Sequence, residues 1–68
     1  MSADIATRVR AARSDAGLSQ VDLSERIGMS QGWISDVERG ARTPNVQSLT
    51  RLADALDVSL DWLTGRAP

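Results

Sequence analysis

Apolar positions recur at helical spacing along the whole chain, interrupted by a few glycines and one internal proline. Ile5, Val9, Ala12 and Ala16 step by four and three, a single stripe on a first helix that Gly17 closes. Ser19 has the chemistry of an N-cap, Asp22 follows three residues later, and Leu23 and Ile27 give the second helix its buried face before Gly28. Ser30 caps a third helix, with Ile34 and Val37 on its inward side and Gly40 after it. Arg42-Thr43-Pro44 reads as a loop and Asn45 as the next cap. Leu49, Leu52, Ala53 and Leu56 then form the strongest stripe in the sequence. Ser59 caps a short last helix carrying Leu60, Trp62 and Leu63, ended by Gly65. No window alternates with period two for long enough to argue a strand. The pattern predicts an all-α fold, a compact five-helix bundle forming one domain over 1–68 with the last three residues as a short tail.

The link between the second and third helices is the informative one. Gly28-Met29-Ser30 is too short to let two helices of about eight residues lie side by side as an antiparallel hairpin. A glycine able to take positive φ sends the second of them off at a steep angle, and Ser24 is small where the two must cross. Leu23, Ile27, Met29, Ile34 and Val37 then point into one core. Ser30, Gln31, Gly32, Trp33, Ser35 and Asp36 fall on the outward side of the later helix. This is the geometry of a helix-turn-helix over about residues 19–38. Trp33 precedes Ile34, which already holds the inward stripe, so it is expected outward. Trp62, between Leu60 and Leu63, is expected in the core.

Composition narrows the chemistry. The 68 residues contain no cysteine, histidine, tyrosine or lysine, so thiolate metal sites, imidazole bases and Schiff-base lysines are all missing. Nine carboxylates, eight arginines and some hydroxyls remain, and no metal, cofactor or enzymatic role is expected from them. A net charge of −1 gives no global field toward a polyanion, so any such contact would need arginines gathered on one face. Asp54, Asp57 and Asp61 cluster late in the chain, which puts the acidic balance away from that face. No apolar run approaches the roughly 20 residues of a membrane span. Met1-Ser2-Ala3-Asp4 lacks the basic and then apolar start of an export signal.

Gly17-Leu18-Ser19-Gln20, Leu23-Ser24, Ile27-Gly28-Met29-Ser30, Ile34-Ser35, Glu38-Arg39-Gly40 and Pro44 together resemble the lambdoid phage repressor/Cro family, also called Xre-type. The stretch Leu52 to Leu63 is similar to that family's last two helices, so the resemblance runs from about Ile5 to Gly65. It implies a lambda repressor-like DNA-binding domain, a cytoplasmic, nucleoid-associated transcriptional regulator. The expected role is a repressor that reads a palindromic operator in double-stranded DNA as a homodimer, with the helix at 30–39 in the major groove.

Carried over by position, the resemblance implies that Gln20 grips a phosphate and braces the recognition helix. It makes Gln31 the first base reader, able to hydrogen-bond adenine N6 and N7. Gly32, Trp33, Ser35 and Asp36 take the other positions facing the groove or its walls. Gly32 stands where the family often has a polar reader, and Asp36 is an acid that can accept from cytosine N4 or hold a neighbouring arginine. Arg10, Ser19, Gln20, Ser30, Arg39, Arg42 and Thr43 are the expected phosphate contacts. Arg13 and Glu38 match a structural ion pair between the first and third helices, and Val58 and Leu60 match the dimer contact. The alternative is an antitoxin-like or other protein-interaction module of the same fold. It is weakened because only Arg66-Ala67-Pro68 follows the last helix to wrap a partner.

Overall fold

The computed structural model describes residues 4–66. Its helices are α1 (Ile5–Asp15), α2 (Gln20–Ile27), α3 (Gln31–Glu38), α4 (Val46–Leu56) and α5 (Leu60–Leu63). Every one starts by the same local chemistry. The side-chain oxygens of Asp4, Ser19, Ser30, Asn45 and Ser59 accept from the backbone N–H three residues on, satisfying donors that have no intrahelical partner. At α2 the cap is reciprocal: Asp22 N–H donates to Ser19 Oγ at 2.9 Å and Ser19 N–H donates to the Asp22 carboxylate at 3.0 Å. The Ser19 N–H and then its hydroxyl, both bonded to the Asp22 carboxylate, hold that carboxyl below its ordinary value, and Thr7 N–H does the same for Asp4.

The turn between α2 and α3 depends on Gly28, which takes φ +70° in the left-handed region. Its N–H and that of Met29 both close onto the Ser24 carbonyl, and Ser24 itself is buried with its hydroxyl donating to the Val21 carbonyl at 2.7 Å. The small side chain at 24 is thus buried in α2 one turn before the glycine that ends it. Asp57 ends α4 in the same left-handed conformation, at φ 56°, which aspartate tolerates better than most side chains.

Among the described residues, eleven hydrophobic side chains make the core: Val9, Ala12, Leu23, Ile27, Ile34, Val37, Leu49, Leu52, Ala53, Leu56 and Leu63. α3 packs on α2 and α1, α4 packs on α2, and α5 closes against α4 and α1. Trp62 is half-buried against this core, and its ring lies under the Arg8 guanidinium at 4.9 Å, a cation–π contact that ties α5 to α1. Among the described residues there is no strand, and no helix is long and apolar enough to cross a membrane.

Three local expectations need correction. Ala16 is exposed, because α1 ends at Asp15 and the cap carries residue 16 off the buried stripe. The third helix spans 31–38, with Ser30 and Arg39 as its flanking caps rather than its ends. Trp33 is half-buried against the core instead of fully outward, since its ring is large enough to reach inward from the flank. The start Met1-Ser2-Ala3-Asp4, expected to carry no export signal, lies outside the described residues at 1–3, and so do residues 67 and 68 of the expected tail.

Candidate nucleic-acid interface

The site is built around one buried carboxylate. Glu38, the last residue of α3, is 4% exposed and lies against α1. Arg13 of α1 donates to it twice, from Nε to Oε2 at 2.6 Å and from Nη2 to Oε1 at 3.0 Å. This bidentate fork is the strong form of a charge-assisted hydrogen bond. Its third nitrogen, Nη1, donates to the Leu18 carbonyl at 2.8 Å, so the same guanidinium also fixes the chain entering α2.

Gln20 of α2 completes the junction. Its Nε2 donates to Glu38 Oε1 at 3.1 Å, and its Oε1 accepts from Gln31 Nε2 at 3.4 Å. A continuous chain of polar contacts thus runs from Arg13 through Glu38 and Gln20 to Gln31, the first residue of α3. Arg10 adds a further positive charge, with Nε 3.9 Å from Glu38 Oε1 and Nη2 donating to the Glu38 carbonyl at 3.2 Å. Burial pushes the Glu38 carboxyl up, but the bonds from Arg13 and Gln20 and the charges of Arg13 and Arg10 outweigh it and hold the group below its ordinary value. The carboxylate therefore stays ionised near neutral pH. No buried side-chain polar atom among the described residues lacks a partner.

This junction fixes α3 while leaving its first turn open to solvent. Ser30, Gln31 and Gly32 are exposed, and Trp33, Ser35 and Asp36 are partly exposed along the same helix. Asp36 is paired with Arg39 one turn on, an exposed i,i+3 contact. The acid on this surface is thus locally neutralised. Beyond α3, a groove of about 220 Å³ lies between the start of α1 and the following loop, lined by Asp4, Ile5, Val37, Gly40, Arg42 and Thr43. Arg42 and Thr43 are exposed there. Ser19 and Ser30 occupy the N-cap positions of α2 and α3, each hydroxyl oxygen accepting from a backbone N–H three residues on. Val58 and Leu60, at the α4–α5 turn and the start of α5, are both half-buried against the core.

Several of these contacts were not legible in the sequence. That Arg10 turns toward Glu38 depends on how α1 lies on α3, and no local spacing encodes it. The Asp36–Arg39 pair did carry a signal, an acid and a base three residues apart on one helix.

The helix-turn-helix family profile matches residues 9–63 of the chain. An uncharacterized HTH-type transcriptional regulator of Mycobacterium tuberculosis is 42% identical over 59 residues, covering 87% of this chain and 42% of that protein. The immunity repressor protein of Bacillus phage phi105 is 30% identical over 61 residues, 90% of this chain and 42% of its own length. The chain accordingly spans less than half the length of these two curated relatives. Among solved structures, the P22 c2 repressor protein in complex with a synthetic operator matches with a TM-score of 0.89 at 32% identity, over 96% of this chain and 98% of that one. With its capped α2 and α3, the left-handed glycine between them and this profile match, the chain belongs to the Xre-type helix-turn-helix family.

Proposed function

We propose that this chain is the DNA-binding domain of a transcriptional regulator, acting as a repressor, with α3 entering the major groove of its operator. The observation that carries the reading is the polar chain that ends on Gln31. An exposed glutamine at the first turn of α3 is held by its terminal amide, which donates to Gln20, and Gln20 in turn donates to a buried carboxylate. A base reader gains from such preorganisation because less side-chain freedom is lost on binding. Gln31 Nε2 has two protons, and Gln20 takes one. The other donates to adenine N7 while Oε1 accepts from N6, the bidentate pairing of glutamine with adenine.

Around that contact, Gly32, Trp33, Ser35 and Asp36 face the remaining base edges and groove walls, with Asp36 acting chiefly through Arg39. Ser19, Gln20, Ser30, Arg10, Arg39, Arg42 and Thr43 take phosphates. These contacts fix register, and those of α3 carry sequence information. One such domain reads too few base pairs to select an operator, so two copies act on a palindrome, paired through Val58 and Leu60. Their recognition helices then sit about 34 Å apart, one turn of B-DNA. The operator is found by selection from a random duplex library and tested by mobility shift. Gln31→Ala is expected to weaken the selected operator by about 1–3 kcal/mol and leave a random duplex nearly unaffected. Equal losses on both duplexes would remove Gln31 from base reading, and a wild-type protein that retards no duplex would overturn the proposal.

A further inference from the structure

Four of the chain's five glycines, at 17, 28, 40 and 65, take φ between +70° and +81°, where any side chain would be strained. Gly32 is the exception. It lies in the first turn of α3 with ordinary helical φ, and it is exposed. A Cβ built there meets one atom within 4 Å, Ser30 Oγ at 3.9 Å, an ordinary van der Waals contact. Neither backbone conformation nor packing within the chain calls for glycine at this position. Glycine nonetheless disfavours the fold here, because it leaves the unfolded chain more conformational freedom than alanine would. It also interrupts the outward surface of α3 between Gln31 and Trp33.

A missing side chain that the fold does not use points to something approaching from outside. We propose that Gly32 is a specificity-determining residue: its bare backbone lets a base-pair edge in the major groove come against the first turn of α3, beside the base that Gln31 reads. This rests on the reading of α3 as the DNA-contacting helix. In the complex with this chain's own operator, a side chain at 32 holds that helix turn off the base edge seated against it, lengthening the bidentate bonds of Gln31 as well. The contact belongs to the docked operator alone. Non-specific binding, where α3 does not seat against base edges, is indifferent to residue 32.

The test uses Gly32→Ala and Gly32→Val with the selected operator and a random duplex of equal length. Thermal unfolding by circular dichroism is run on the same samples. Gly32→Ala is expected to raise Tm by about 2–6 °C while weakening the operator complex about tenfold or more, on the scale of one lost base contact. Gly32→Val should weaken it further, and the random duplex should change by less than about twofold for both. An alanine variant that binds the operator as tightly as wild type overturns the proposal, as does one with a lowered Tm, which would give Gly32 a role inside the fold. If wild type itself retards no duplex, the underlying assignment of α3 falls too, an outcome distinct from the other two.

Discussion

Glu38→Leu is the perturbation that tests the junction most directly. It removes a carboxylate that is 4% exposed and accepts three bonds between 2.6 and 3.1 Å. Arg13 is then left with a charge and no acid, its side chain only 18% exposed. Breaking a fully buried pair in this way costs about 3–5 kcal/mol. Here the guanidinium keeps its bond to the Leu18 carbonyl and retains some water, which lowers the expected loss to about 2–3 kcal/mol. A domain of this size has a total stability of about 3–10 kcal/mol, so the loss is a large fraction of the whole. Urea unfolding followed by circular dichroism at pH 7 measures it, for Glu38→Leu, Arg13→Met and the double variant. The double variant strands no charge and is expected to recover at least about 1 kcal/mol relative to the sum of the singles. Additive singles, or a Glu38→Leu loss under about 0.5 kcal/mol, would mean that α3 is held by its apolar contacts alone and that the ion pair is incidental.

The junction should also shape acid stability. Glu38 takes up its proton at lower pH in the folded chain than its ordinary value of 4.5, so its contribution is complete above that value and is lost as pH falls through the folded pKa. Asp4 and Asp22 act in the same direction below their ordinary value of 3.8. Urea midpoints measured from pH 7 down to pH 3 should fall more steeply for wild type than for Glu38→Gln, and parallel curves would refute the linkage. Arg42→Ala is expected to weaken binding to all duplexes alike and reduce the salt slope of log K by about one, and an unchanged slope places Arg42 off the phosphate backbone. Leu60→Asp should lower Tm because Leu60 is half-buried, and, at a temperature where it remains folded, abolish cooperative filling of two half-sites while sparing half-site binding. Full cooperativity in that variant would remove Leu60 from the dimer contact.

The division between what the sequence determined and what tertiary structure decided follows the range of the interactions. Helix starts at Ser19, Ser30, Asn45 and Ser59 were legible because a cap is a contact over three residues. The turn at Gly28 was legible because only glycine takes left-handed φ without strain, and the core stripe of α4 because its spacing matches the helical repeat. The end of α4 at Asp57 is not legible in the same way, since an aspartate in that left-handed conformation has no exclusive sequence signal. Arg13 opposite Glu38 was suggested by resemblance, and no spacing within the chain could have paired residues 25 positions apart. The same holds for Arg10 and Gln20, both of which converge on Glu38 only because α1 and α2 each pack against α3. Trp33 shows the reverse case: its helical position pointed outward, but ring size and the neighbouring core drew it half inside. Local rules supplied the helices and their order. The polar junction that holds Gln31 in place exists only once three helices meet.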